Sequence, residues 1–266
     1  YYASRGLGDV YKRQGMMDCK KALTATEGDM DQAVEWLREN GLAKAAKKSG
    51  RIAAEGIVAV DVAEDGKVAS IVEVNSETDF VAKNEKFQAY VAEVAAQVKN
   101  SSAASLEDFM AEKWAAEDAG TVEEKLKAMI AVIGENMNIR RFEKVTTDGL
   151  VVPYIHGGGK IGVLVVADTD SDSDAVKECL KNVAMQVAAL RPQYVSTDDV
   201  DSDYKEHEKS ILLAQAKNDP KNANKPDEII EKMITGRLNK ELKEVCLLEQ
   251  ELSLIHISEP TRRVVI

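Results

Sequence analysis

The feature that most constrains the fold of this chain is a strand–strand–helix order that first occurs at residues 57–99. Residues 57–62 and 68–74 are predicted strands, and Asp65-Gly66 between them is a typical hairpin turn. Apolar residues then recur at helical spacing as far as about residue 99. This part of the chain is therefore predicted to be a β-hairpin followed by a helix.

The same order returns in the second half of the chain. Residues 151–168 form another predicted hairpin around a glycine-rich turn at 157–160, and residues 175–190 form a predicted helix. We therefore expect an α+β fold with a core of two related strand–strand–helix halves, at residues 54–145 and 146–250.

A small helical module is predicted ahead of the core, at residues 15–42. A capping box of Asp29 and Gln32 begins its second helix, which is predicted to end at Gly41. Residues 43–53 are small and basic, and we interpret them as a linker that is helical at first and then flexible.

Further helices are predicted within both halves. In the first half they lie at residues 106–114 and 122–137, followed by a strand at 139–145. In the second half, residues 203–244 contain two helical patterns joined by a short polar tip with two prolines. That arrangement predicts a protruding antiparallel helical hairpin.

The charge and the cysteines limit the classes of function. The chain of 266 residues has 35 Lys and Arg against 46 Asp and Glu, a net charge of −11, which argues against direct nucleic-acid binding. Cys19, Cys179 and Cys246 are far apart and are predicted to be buried, reduced thiols, as in a cytoplasmic protein. No apolar run approaches the roughly 18 residues that a membrane span requires, and no signal-peptide pattern is visible.

The segment at residues 71–84 is predicted to be a corner between a strand and a helix. Ser76 and Asp79 have capping-box spacing, and apolar residues from Phe80 to Val98 continue at helical spacing. Asp79 could serve only to cap the helix and Phe80 only to pack into the core; alternatively, the corner presents both to a partner. The pattern alone leaves both interpretations open and favours capping.

Several patterns resemble catalytic, phosphate-binding or metal-binding motifs but lack an essential part of each motif. The glycines at 157–159 lack the following helix of a phosphate-binding loop and the nucleophile elbow of an esterase. The aspartates at 168–174 lack the glycine and the bidentate glutamate of a calcium loop. The three histidines form no metal-ligand pair. We therefore predict no catalytic residue, no metal and no cofactor.

Residues 78–84, TDFVAKN, which follow EVN at 73–75 after Ser76 and Glu77, resemble the signature loop of the translation elongation factor Ts family. Residues 15–23, GMMDCKKAL, and 134–141, GENMNIRR, also resemble that family, and so does the Tyr-x-His-Gly at 154–157. The resemblance extends over about residues 15–250, with the motifs in the family's order.

The resemblance implies a guanine-nucleotide exchange factor, not an enzyme. In this family the loop enters the nucleotide-binding domain of elongation factor Tu and displaces the Mg²⁺ beside GDP; the partner is bound both with GDP and without nucleotide. The implied loop residues are Thr78, Asp79, Phe80 and Val81, with Phe80 as an apolar wedge. The implied contact residues are Met16, Met17, Ile133 and His156, with His156 packed near Phe80.

The family also implies that residues 15–42 are like a ubiquitin-associated domain and that the hairpin at about 203–244 is a protruding arm. Residues 1–14 and 251–266 lie outside the resemblance and are expected to be foreign sequence. The alternative function is a non-catalytic scaffold whose helical module binds helical or ubiquitin-like partners.

Overall fold

A computed structural model describes residues 16–116, 120–218 and 226–252 of the chain. It divides into two compact units after Val176. Both units contain helices, and the strands pair in small antiparallel sheets, so the fold is a mixture of helix and sheet that is consistent with the α+β class. Within the described residues, no helix is both long and apolar enough to cross a membrane. The predicted tails lie largely outside these residues.

Among its described residues, the first unit starts with two helices, and its five strands form two antiparallel sheets. Its elements are α1 Met16–Ala25, α2 Met30–Lys48, β1 Glu55–Val62, β2 Val68–Ser76, α3 Asp79–Ala82, α4 Glu85–Asn100, α5 Leu106–Ala111, α6 Val122–Ile133, β3 Met137–Thr146, β4 Leu150–His156 and β5 Ile161–Ala167. The elements that follow are α7 Asp174–Leu190, α8 Ser202–Asn218, α9 Asp227–Val245 and a 3-10 helix at Leu247–Glu249.

The main sheet has the order β1-β2-β3, with both pairs antiparallel. The predicted first hairpin is confirmed, with Val58 opposite Glu73. Alternation along β2 buries Val72 and Val74 against α4, as the period of a half-buried strand requires. The helix α4 contributes a buried stripe that forms the centre of the core. Its members are Phe87, Tyr90, Val91, Val94, Ala95 and Val98.

The second hairpin is also confirmed, as β4 paired with β5. Its turn contacts β1: the Val58 N–H donates to the Gly159 carbonyl at 2.7 Å. A Cβ on Gly159 would lie 2.9 Å from the Cβ of Ile57, and its φ of +92° also favours glycine. The glycine-rich turn therefore holds the second hairpin against the first strand, and whether the two halves are related stays a prediction.

The N-terminal helices confirm one predicted boundary and correct another. Asp29 caps α2 by accepting from the Gln32 N–H at 2.9 Å. The helix end predicted at Gly41 is wrong, because α2 continues to Lys48. Gly41 instead faces Ala131 on α6, where an added Cβ would lie 3.5 Å from the alanine Cβ. Ala45 is buried in the main core, so the first residues of the predicted linker are part of the packed structure.

Two boundaries in the middle of the chain also differ from prediction. The helix predicted at 122–137 ends at Ile133, because Gly134 takes the left-handed conformation with a φ of +91°. Met137 therefore begins β3 and does not share a helical face with Ile133. The helix predicted at 106–114 ends earlier, at Ala111.

In the second unit, α8 and α9 pack against each other through small apolar clusters. Ala216 of α8 meets Ile230 and Ile234 of α9. The tip of the predicted hairpin, residues 219–225, lies outside the described residues. The prediction of buried cysteines is confirmed for Cys19 and Cys246 and is wrong for Cys179, which is exposed on α7.

Candidate functional site

The segment between β2 and α4 forms a distinct corner. β2 runs to Ser76, and the helix that follows, α3, starts at Asp79 with Thr78 as its N-cap. The capping box predicted from Ser76 is therefore wrong: the Thr78 hydroxyl accepts from the Val81 N–H at 3.4 Å. The Ser76 hydroxyl instead donates to the Thr78 carbonyl at 3.1 Å and so holds the turn.

The helix predicted to run from the corner to residue 98 is divided in two. α3 has only four residues, and Asn84 begins α4 by accepting from the N–H groups of Lys86 and Phe87. Because of this break, Phe80 leaves the buried stripe of α4 and is 81% exposed. Packing of Phe80 into the core, one of the two interpretations of the sequence, is therefore wrong.

Asp79 is the second exposed side chain of the corner. Its carboxylate accepts from the Lys83 ammonium at 2.8 Å, one helical turn later. That hydrogen bond, together with the charge of Lys83, lowers the pKa of Asp79, and Lys160 adds a smaller effect of the same sign. Asp79 is thus a carboxylate at neutral pH, paired with Lys83 and next to Phe80 in the chain.

The glycine-rich turn brings a second ion pair to the same region. Lys160 is paired with Glu55 at the start of β1. The charge of Lys160 acts on Asp79 and that of Glu55 acts on Lys83, as their pKa shifts show. Two ion pairs, Asp79–Lys83 and Glu55–Lys160, therefore lie close enough to influence each other at α3.

His156 lies at the end of β4, just before this turn, and is exposed. Its Nδ1 is 3.0 Å from the Tyr154 hydroxyl, and the two rings are stacked with centroids 6.0 Å apart. The predicted packing of His156 near Phe80 stays a prediction.

Two residues to which the sequence analysis gave no role, Glu135 and Asn136, form hydrogen bonds with the corner. Glu135, in the turn between α6 and β3, accepts from the Thr78 N–H at 3.0 Å and from the Thr78 hydroxyl at 2.7 Å. The N–H of Asn136 donates to Glu77 Oε1 at 2.6 Å. Both residues belong to the GENMNIRR stretch at 134–141, and its resemblance to the family is the sequence signal that could have indicated them. No local spacing connects that stretch with residues 77–78.

The remaining predicted contact residues differ in exposure. Met16 and Met17, in the first turn of α1, are 49% and 66% exposed. Ile133, at the end of α6, is only partly exposed and packs against the main core.

Across residues 16–116, 120–218 and 226–252, no three or more His, Cys, Asp or Glu side chains are grouped so as to hold a metal ion.

Comparisons with known proteins agree on one family. The model of the family described as Elongation factor TS matches residues 77–258. The chain belongs to the elongation factor Ts family. The residues matched by the family model include most of the corner and the turn at 134–136 that holds it. Family membership assigns this chain to translation elongation in protein biosynthesis.

Individual relatives of this family are similar over most of the chain. The protein named Elongation factor Ts of Clostridioides difficile (strain 630) is 54% identical over 236 residues, which are 89% of this chain and 76% of the relative. Those of Clostridium novyi (strain NT) and Clostridium perfringens (strain SM101) are 51% and 53% identical over 237 residues, with the same shares of each chain.

Proposed function

We propose that this protein is a guanine-nucleotide exchange factor that binds elongation factor Tu with GDP and promotes GDP release, so that GTP can bind. The single observation that carries this proposal is the 81% exposure of Phe80 on a helix of four residues. An aromatic side chain held out of the core offers its apolar area to a partner, and such side chains contribute strongly to binding. Membership of a family of translation factors supports a partner in the same process.

The mechanism requires no covalent step by this chain, which is therefore not an enzyme in the chemical sense. In the partner, GDP is held by a phosphate-binding loop and by Mg²⁺, and that ion is the largest local charge. Phe80 acts as a wedge between elements of the partner. Asp79, a carboxylate at neutral pH, competes with the ligands that surround the metal. Thr78 and Val81 give the loop its shape.

A wider surface docks the two proteins. We assign Met16 and Met17, both exposed in the first turn of α1, to this surface. His156 and the exposed part of Ile133 complete the set of contact residues. A methionine side chain adapts to irregular apolar surfaces, which suits this role.

Linkage determines the thermodynamics of the exchange. If this protein binds nucleotide-free elongation factor Tu more tightly than the GDP complex, GDP must weaken its binding by the same factor. The difference between these two binding free energies therefore sets how far binding of this protein weakens the affinity of the partner for GDP.

The finer organisation belongs to the same proposal. It comprises a ubiquitin-associated-like module at 15–42, a linker at 43–53, related core halves at 54–145 and 146–250, and an arm at about 203–244. The site of action is the cytoplasm, where the partner takes part in translation.

Release of fluorescent GDP from elongation factor Tu tests the proposal directly. With excess unlabelled nucleotide and Mg²⁺ present, substoichiometric amounts of this protein are expected to accelerate release repeatedly. After chelation of Mg²⁺ the acceleration should become smaller, because the metal has already been removed. Binding without accelerated release would select the scaffold that binds helical or ubiquitin-like partners, and the absence of both would reject the proposal.

A further inference from the structure

The helix α3 is too short to be stable alone. Nucleation of a helix is unfavourable, and four residues form too few hydrogen bonds to offset that cost. Its backbone bonds within the corner include Ala82 N–H to Thr78 O at 3.3 Å, Lys83 N–H to Asp79 O at 3.2 Å and Asn84 N–H to Val81 O at 2.9 Å. The direction in which α3 presents Phe80 must therefore be fixed by contacts from other elements.

The N-terminus of α6 shows what α3 lacks. In α6, the carboxylate of Glu124 accepts from the Thr121 N–H at 3.0 Å, and the Thr121 hydroxyl accepts from the Glu124 N–H at 3.2 Å. This is a complete capping box, with threonine at the N-cap and glutamate at the third helical position. In α3 the third helical position is Val81, which has no carboxylate.

Glu135 supplies the missing carboxylate from a distance of 57 residues along the chain. Its Oε2 accepts from the Thr78 N–H at 3.0 Å, the same length as in the local box of α6. Its Oε1 also accepts from the Thr78 hydroxyl at 2.7 Å. Hydrogen bonds to a charged acceptor are stronger than neutral ones, and two of them fix the orientation of Thr78.

Asn136 extends this attachment to the N-terminal helices. Its backbone N–H donates to Glu77, and its side-chain Nδ2 donates to the carbonyl of Arg51 at 2.6 Å, just beyond α2. Asn136 itself is only 2% exposed, so its end of these bonds is shielded from water. The turn at residues 134–136 therefore holds the corner and the segment after α2 together.

We propose that Glu135 is a positioning residue for nucleotide exchange: its carboxylate completes the capping of α3 through Thr78 and so fixes the direction of Phe80. This inference rests on the proposed function. Glu135 acts through Thr78 and is not assigned a contact with the partner. Without the charge of Glu135, α3 can change orientation before insertion into the partner. The free energy of ordering α3 must then be supplied during nucleotide exchange, which slows that step.

The variant Glu135→Gln tests this role with little change of shape. The amide of glutamine keeps one acceptor oxygen but replaces the other with an NH₂ donor, so Thr78 can no longer donate both of its hydrogen bonds to this side chain. We expect the maximal rate of GDP release to fall about tenfold, the size expected for loss of one hydrogen bond to a charged group. The protein concentration for half-maximal release should stay within about twofold, because Met16 and Met17 are unchanged.

The matched control is Glu112→Gln. The carboxylate of Glu112 also accepts a hydrogen bond from a hydroxyl, that of Ser101, at 2.7 Å. Glu112 lies at the C-terminal end of α5 and makes this bond outside the corner. Both the rate and the half-maximal concentration should stay at wild-type values in this control. An equal loss of rate in the two variants would overturn the positioning role and indicate a general effect on folding.

Amide hydrogen exchange of the free protein provides a readout that does not depend on the partner. In Glu135→Gln, the amides of Val81, Ala82 and Lys83 should lose protection while those of α4 keep it. Unchanged protection in α3, or a rate of GDP release equal to wild type, would overturn the inference. Failure of the wild-type protein to release GDP would reject the proposed function instead, and the amide measurement would still decide whether Glu135 orders α3.

A double-mutant cycle assigns the effect to Thr78. If Glu135 acts through this residue, Glu135→Gln should cost less in a Thr78→Val background than in the wild type. Additive losses in the rate of GDP release would contradict the proposed route.

Discussion

α3 and α4 follow each other directly, and each contains a phenylalanine, but they use it in opposite ways. Phe80 in α3 is 81% exposed, whereas Phe87 in α4 is fully buried at 0%. The two rings are seven residues apart, a spacing that would place them on one face of a continuous helix. Because the helix is interrupted at Lys83 and Asn84, Phe87 packs in the core while Phe80 is exposed to solvent.

The two helices also differ in what stabilises them. α4 has 16 residues and buries a full apolar stripe against β1 and β2. α3 has four residues, buries Ala82, and depends on Thr78, Glu135 and the pair Asp79–Lys83. Hydrophobic packing therefore dominates in α4, while α3 combines a small apolar contact, through Ala82 and Val81, with polar contacts of specific geometry.

The largest effect on stability is expected at the buried ring. Phe87→Ala removes a side chain from the centre of the core and leaves a cavity, which should lower the free energy of unfolding by about 3–5 kcal/mol. Urea denaturation measures this change. A loss below about 1 kcal/mol would mean that burial of Phe87 does not anchor α4 in the core.

The exposed ring should behave in the opposite way. Phe80→Ala is expected to change the free energy of unfolding by less than about 0.5 kcal/mol, as for other surface sites. It should lower the rate of GDP release from elongation factor Tu by at least about tenfold, as expected for loss of a buried aromatic contact in the complex. Leu248→Ala, at another exposed apolar residue, is the control. An unchanged rate in Phe80→Ala would remove the wedge from the mechanism.

The junction between the two helices should show an intermediate effect. Asn84→Ala removes the cap of α4, whose side chain accepts from the Lys86 N–H at 2.9 Å, and should cost about 1 kcal/mol of unfolding free energy. Asn100→Ala, at the other end of α4, changes the same residue type without removing an N-cap and should cost less. Thermal unfolding compares the two variants. Equal losses would show that capping does not separate α3 from α4.

The smallest effect concerns the pH dependence of the corner. Because Lys83 lowers the pKa of Asp79 in the folded protein, their ion pair stabilises the folded state above the ordinary aspartate pKa near 3.8. This contribution is lost as the pH falls through the lower pKa of the folded state. The difference in melting temperature between wild type and Asp79→Asn should therefore be small at pH 7 and vanish in strong acid.

Salt provides the control for the last prediction, since both side chains of the pair are largely exposed to solvent. High ionic strength should reduce the difference at pH 7, because exposed ion pairs are screened. A difference that grows as the pH falls would contradict the direction of the pKa shift.

Local patterns predicted much of the fold but not the contacts between distant segments. The hairpins β1–β2 and β4–β5 followed from their turns, and the cap at Asp29 followed from spacing. The continuation of α2 through Gly41 did not, because a glycine with an αR backbone opposite Ala131 looks the same in sequence as a helix stop. The exposed Cys179 was missed for a similar reason: helical spacing does not reveal which face a neighbouring element covers.

The sequence by itself determined the family, the two hairpins and the motif that forms the corner, because these depend on short-range turn chemistry and on residue identity. The tertiary structure decided that Phe80 is exposed and that Glu135 completes the capping of α3. The physical reason is that a helix of four residues takes its direction from bonds to other elements, and those bonds join residues that are 57 positions apart.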